Sequence, residues 1–385
     1  MNIHKAILGV ALGAVASLNG ASDKATGVSE FGCKLWQELA RENGNVIISP
    51  FNISTALAMV KAGARADTEA EISTVLGPAP DALSIERLTN SANTRGDQLL
   101  HAGGLWIENA VAVRPGFLHA MQIVFRARPI QVDFRNDPEG ARVAMNLWFA
   151  QHTGGKIRDL WKSGDITPKT RLVLATATYF RGKWRSPFRA GATHPVRFVR
   201  SDGTSVFAPF MNQTGQFAYG ETEDAQLIEM PYVDGALVFD VILPKTPDRF
   251  SSMARSLTDE RLSSWLERLA PTEVSVSTPR FRIESQFSLE DKLTAMGMHL
   301  AFTEMADFSG IDGRRDLMLN KILHHAFVDV SEEGTEAAAA TGISAVPTAV
   351  RQIPVFRADH PFLFIIRDVK MGTLLFIGQV TDPSI

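Results

Sequence analysis

The chain has 385 residues, 45% of them hydrophobic and 21% charged, which excludes a disordered chain, a collagen and a coiled coil. Its 39 basic and 42 acidic residues leave a net charge of −3, which argues against a sequence-independent nucleic-acid binder. The one cysteine, Cys33, rules out an internal disulfide framework. At about 150 residues per domain the length alone suggests two or three domains. The first 21 residues carry Lys5, then an uncharged apolar stretch over 6–18, then small residues around Ala16, Gly20 and Ala21. This is the pattern of a secretory signal peptide, too short to span a bilayer. It predicts export to the extracellular space, or to the periplasm in a bacterium, with no membrane anchor.

The first 165 residues read mostly as helices. Phe31, Leu35, Trp36 and Leu39 share one helical face, with Ser29 as a cap. Ile53, Ala56, Leu57 and Val60 form a second stripe, entered through Ser49-Pro50. Asp67 and Thr68 can cap a third helix running to Leu76 and ended by Gly77. After Thr167 the pattern turns to strands: 171–180, 236–243, an alternation through Val274, Val276, Phe281 and Ile283, then 326–330, 362–366 and 373–377. Helices first and strands later predict an α+β fold with sheets against a helical layer.

No constellation for catalysis stands out. There is no G-x-S-x-G, H-E-x-x-H or C-x-x-C. Gly154-Gly155-Lys156 lacks the earlier glycine and the Ser or Thr of a phosphate loop. His324 and His325 are adjacent on a strand and point to opposite faces, so one metal ion does not take both. Cys33 reads as a small apolar residue. Asn212-Gln213-Thr214 and Asn52-Ile53-Ser54 match the glycosylation pattern, the second at a buried helix start. No cofactor or metal is expected.

The segment hardest to explain by folding alone lies between two strong strands: Glu332-Glu333-Gly334-Thr335-Glu336-Ala337-Ala338-Ala339-Ala340-Thr341, leading to Val346-Pro347-Thr348-Ala349-Val350-Arg351-Gln352-Ile353-Pro354. A loop this long in a compact protein is usually functional or disordered. As a strand, Thr335, Ala337, Ala339 and Thr341 share one face, and none is bulky or charged. Such a segment can join a sheet as an extra central strand without burying a charge.

This segment resembles the reactive-loop hinge of serpins, and the resemblance runs along nearly the whole chain. Asn45-Val46-Ile47-Ile48-Ser49-Pro50-Phe51-Asn52-Ile53 is similar to the family's N-x-x-x-S-P-x-S-I. Tyr179-Phe180-Arg181-Gly182-Lys183-Trp184 is similar to Y-F-K-G-K-W. Met230-Pro231-Tyr232, Ile242-Leu243-Pro244, Asp307-Phe308-Ser309-Gly310-Ile311, His324-His325-Ala326-Phe327-Val328, Ala358-Asp359-His360-Pro361-Phe362-Leu363-Phe364 and Leu375-Phe376-Ile377-Gly378 follow in the family's order.

The resemblance implies one domain over 22–385, with three β-sheets, eight or nine helices and an exposed reactive-centre loop over about 332–354. It implies no enzyme but a monomeric suicide inhibitor. A serine protease, or a cysteine protease by the same motion, attacks the loop and forms a covalent acyl complex. The cleaved loop then inserts into the large sheet. The hinge from Glu333 through Thr341 follows the inhibitory pattern. Fourteen residues on from Gly334 the reactive bond falls at Thr348–Ala349, with Ala345, Val346, Pro347, Val350 and Arg351 as neighbours. This small, uncharged stretch suits elastase-like or subtilisin-like enzymes with a shallow apolar S1 pocket. Arg351 is a trypsin-like alternative. Some serpins have lost inhibition and serve in binding, storage or chaperoning, which is the second reading. Ser49, Asn52 and His324 match a cluster beneath the point where the sheet opens, and Trp184 matches the tryptophan where the loop enters. Thr176 departs from the family's Asn in L-V-N-A-I-Y-F. The region 85–101 carries only Arg87 and Arg95 as basic residues other than histidine, so no heparin site is expected.

Overall fold

The computed structural model describes residues 26–42, 44–78, 80, 85, 98–233, 235–332 and 353–384. The helices are α1 (Thr26–Leu39), α2 (Pro50–Gly63), α3 (Ala66–Leu76), α4 (Pro115–Phe125), α5 (Pro138–His152), α6 (Phe250–Arg255), α7 (Asp259–Leu266), α8 (Glu290–Ala295) and α9 (Ser309–Asp312). The strands are β1 (Val46–Ile48), β2 (Gln98–Glu108), β3 (Ile130–Val132), β4 (Leu172–Arg181), β5 (His194–Val199), β6 (Ser205–Glu221) and β7 (Ala225–Pro231). They continue with β8 (Leu237–Pro244), β9 (Ala270–Pro279), β10 (Phe281–Ser288), β11 (Lys321–Val330), β12 (Val355–Arg357), β13 (Phe362–Asp368) and β14 (Leu374–Val380).

The first helix starts earlier than its periodicity suggests. Ser29 therefore lies inside α1 and donates to the Gly372 carbonyl instead of capping. The second helix starts as expected: Ser49 is the N-cap, Pro50 opens the first turn, and 12 of its 14 residues are buried. So α2 is a core helix, apolar on nearly every side. It crosses α1 closely because Gly32 leaves room. A Cβ there would stand 2.7 Å from the Pro50 Cβ. The third helix begins one residue before Asp67, with Arg65 as its extended cap. The Thr68 hydroxyl accepts from the Asp307 backbone N–H at 2.9 Å, so it serves a distant loop rather than its own helix.

The strands make two sheets. The smaller has the order β10-β11-β4-β2-β3. In it β11 and β4 are parallel neighbours, paired from Lys321↔Val173 to Val328↔Phe180. The larger is β1-β14-β13-β8-β7-β6-β9-β12, with β5 on β6. Its 17-residue strand β6 pairs with β7 at its C-terminal end and with β9 along its length, so it fuses two sheets into one. The three sheets expected from the resemblance thus appear as a five-stranded sheet and this nine-stranded composite.

The five-stranded sheet is covered on both sides. Leu172, Leu174 and Ile322 join the core around α2. Val173, Ala175, Ala177 and Leu323 pack under α5 and the 153–166 segment, against Phe149, Leu160 and Trp161. That cover is tied down. Gln286 Nε2 donates to the Leu160 carbonyl at 2.8 Å, and Lys321 pairs with Asp165 at 2.5 Å.

Candidate functional site

The site runs along the pair β4–β11, from His324 and Thr176 in its middle to the end where both strands finish. His324, on β11, is fully buried. Its Nε2 accepts the Ser49 backbone N–H at 3.0 Å. The proton of the neutral ring therefore sits on Nδ1, which donates to Thr176 Oγ1 at 2.7 Å on β4. One imidazole thus joins the start of α2, β11 and β4. Burial pushes the His324 pKa down from 6.5 to about 3, with His325 adding to the effect. His325 points to the other face, where its Nε2 meets Glu284 Oε1 at 2.8 Å.

Asn52 extends the cluster. Its Nδ2 donates to the Ala177 carbonyl at 3.1 Å and to Thr178 Oγ1, and reaches the Ala102 carbonyl at 3.5 Å. It thereby straps β4 to β2 from the helix side. This bears on the departure at Thr176. Threonine lacks the amide of the family's Asn, but Asn52 stands where the quoted pattern has Ser and brings an amide from the opposite direction. Asn52→Ser is expected to cost about 1 kcal/mol, the net worth of a buried hydrogen bond. Adding Thr176→Asn is expected to recover part of it, which urea melts of both variants would measure.

Trp184 lies just past β4, 4% exposed. Its ring stacks on Tyr232 with centroids 4.7 Å apart and planes 8° from parallel, and meets Phe239 edge-on. Its Nε1 donates to the Ser331 carbonyl at 2.7 Å. The next carbonyl, of Glu332, accepts from the Phe188 N–H at 2.9 Å, and the Glu332 carboxylate faces Arg280 at 3.6 Å. The chain is pinned at three points before residue 333. Trp184→Phe keeps the stack and loses one of them. A drop of about 1 kcal/mol in unfolding free energy is expected. Phe188 and Arg280 had no local signal, because each meets Glu332 only through the folded chain.

The hinge from Glu333 through Thr341, the bond Thr348–Ala349 and its neighbours Ala345, Val346, Pro347, Val350 and Arg351 lie outside the described residues, as does the signal segment 1–21. The far flank of the loop is described. Val355–Arg357 pair in parallel with Ser275, Val276 and Ser277 of β9, and Phe356 is fully buried.

Other candidates fall away as chemistry. Burial, with Asp259 and Glu260 adding, pushes the Cys33 thiol far up, so it is no nucleophile. Asn212 gives its amide to the Ala192 and Phe210 carbonyls, so neither glycosylation candidate has a free side-chain amide in the folded chain. No group of three metal-ligating side chains occurs among the described residues.

Comparison with known proteins bears on the family and the fold. The family model described as Serpin (serine protease inhibitor) matches residues 26–383. An uncharacterized serpin-like protein of Thermococcus kodakarensis is 36% identical over 93% of this chain and 85% of its own length. The leukocyte elastase inhibitor of Homo sapiens is 37% identical over 92% of this chain and 98% of its own. The crystal structure of uncleaved ovalbumin superposes with a TM-score of 0.85 at 24% identity, covering 94% of this chain and 100% of that one.

Proposed function

The chain belongs to the serpin family, and from that premise we propose that it is a suicide inhibitor of serine proteases. The observation that carries the reading is the parallel pair β4–β11. A chain that leaves the end of β11 and reverses runs antiparallel to both strands. Inserted between them, it replaces one parallel ladder with two antiparallel ones, the better-paired arrangement. The driving force is therefore stored in the closed five-stranded sheet and held back by the barrier to parting β4 from β11.

In the proposed reaction the protease serine Oγ bonds to the Thr348 carbonyl carbon. The Thr348–Ala349 bond breaks, and the proton passes to the Ala349 amine. The freed hinge, with Thr335, Ala337, Ala339 and Thr341 on one face, then enters the sheet and carries the acyl-linked protease with it. Small uncharged residues at Val346, Pro347 and Thr348 favour elastase-like and subtilisin-like targets. A relative named leukocyte elastase inhibitor supports that class. A cysteine protease, attacking through its thiolate, is trapped by the same motion. The inhibitor acts as a monomer outside the cell or in the periplasm.

Incubation with pancreatic elastase, neutrophil elastase, subtilisin and trypsin tests this reading by denaturing gel and intact mass. An SDS-stable complex with a released fragment starting at Ala349 is expected. A fragment starting at Gln352 with trypsin would move the bond to Arg351. Clean cleavage across the panel, with no complex and no rise in melting temperature, would favour a binding or storage role.

A further inference from the structure

The face of the five-stranded sheet beneath α5 carries a row of side chains that none of the roles above uses. Tyr179 on β4 and Phe327 on β11 are registered partners across the parallel pair. Their rings stack, with centroids 5.1 Å apart and planes 13° from parallel. A cation stands over each ring. Lys156 Nζ, from the cover that follows α5, lies 5.2 Å from the Tyr179 centroid. The Arg282 guanidinium, from β10, lies 5.7 Å from that of Phe327 and pairs with Asp329 of β11 at 3.2 Å. One row thus joins the cover, β4, β11 and β10.

Its position matters more than its size. The registered pairs behind it on the same face are Ala175–Leu323 and Ala177–His325, each with only a methyl group on β4. Side-chain grip between the two strands on this face is therefore concentrated in the aromatic pair, close to where β4 and β11 end. Tyr179 is buried and Phe327 half-buried. A stacked pair is worth more than the area it buries, and a cation over a ring adds to it. Neighbouring strands lie about 4.8 Å apart, so a strand entering between β4 and β11 widens their separation to about 10 Å and must break the stack.

We propose that the row Lys156–Tyr179–Phe327–Arg282 is the latch of the closed sheet: it sets the rate at which β4 and β11 part, and hence the rate of loop insertion. The second half rests on the insertion mechanism proposed above. The first is a property of the uncleaved chain and is measured without a protease.

Hydrogen exchange of the full uncleaved chain, followed peptide by peptide by mass spectrometry, tests the latch. Amides of β4 and β11 are expected to exchange before those of β8 and β13 in the larger sheet, and about fivefold faster in Phe327→Leu than in the wild type. Tyr179→Leu should do the same, and the double variant should be no faster than either single one, because either change alone removes the stack. Tyr179→Phe keeps both rings and should match the wild type. Lys156→Gln, on the surface and harmless to folding, should exchange about threefold faster. Exchange of β4 and β11 only in step with the larger sheet, a wild-type rate in Phe327→Leu, or multiplying effects in the double variant would overturn the latch. Elastase then reads the consequence: Phe327→Leu should form the SDS-stable complex about fivefold faster. Faster exchange with complex formation at the wild-type rate would overturn the link to insertion. Faster exchange with no complex from either chain would overturn the inhibitor reading and leave the latch in place.

Discussion

Thr335→Arg is expected to leave the chain folded and still cleaved by its protease, yet to abolish the covalent complex. In the proposed mechanism the hinge passes between β4 and β11, and both faces of that slot are buried. One face is lined by Leu174, Thr176 and Ile322 over α2, the other by Ala175, Ala177 and Leu323 beneath α5. A guanidinium carried into either place has no partner, and a buried unpaired charge costs several kcal/mol in effective terms. Outside the sheet the same side chain is harmless. The measurement is the ratio of SDS-stable complex to cleaved product at fixed protease. An unchanged ratio for Thr335→Arg would sink the insertion mechanism while leaving the family untouched. Thr335→Val, uncharged and of the same shape, is the matched control for substitution as such and should keep the complex.

The second large effect is a dependence on acid. The His324 imidazole is neutral in the closed sheet, its pKa pushed from 6.5 down to about 3. In a state where water reaches the ring, a proton binds near pH 6.5. Below that pH the opened or unfolded chain holds one more proton than the closed one. Closed-sheet stability is therefore lost as pH falls from 6.5 towards 3, by about 1.4 kcal/mol per pH unit. At pH 5 the loss is about 2 kcal/mol, or close to a thirtyfold change in the opening equilibrium. Protonated Nε2 also cannot accept the Ser49 N–H, so the bond from α2 to β11 breaks in the same event. Spontaneous loss of inhibitory activity, timed at pH 7.5 and pH 5, should accelerate by about that factor. His324→Gln keeps an acceptor for Ser49 without a titrating group, and its rate should stay flat over this range.

The fold was legible where one face of a strand or helix meets a core. Strand candidates 236–243, 362–366 and 373–377 fall on β8, β13 and β14 within three residues at either end, because these strands are buried on both faces and read as apolar runs. Two long strands escaped notice. Adjacent glycines interrupt the alternation of β2, and Pro209, Asn212 and Gly215 do so in β6. Both strands owe their existence to neighbours on either side, a long-range term that local propensity does not carry. The same holds for the site. The adjacency of His324 and His325 put them on opposite faces, but the two partners of His324 lie 275 and 148 residues distant in sequence. The amide of Asn52, which offsets Thr176, needed the register of β4 against α2 to be seen.

The far flank of the loop has a consequence for what a cut at Thr348–Ala349 leaves behind. The strands after it, β12, β13 and β14, are woven into the nine-stranded sheet: β13 lies between β14 and β8, and β14 between β13 and β1. Phe356, Phe362, Leu363, Phe364 and Ile377 in this piece are fully enclosed. Proteolysis therefore divides the covalent chain without dividing the body, and the product migrates as one particle until it is denatured. Its return from denaturant is another matter. What was a unimolecular folding reaction has become the encounter of two fragments, second order in concentration, so that dilution alone separates the intact molecule, which refolds at any concentration, from the spent one.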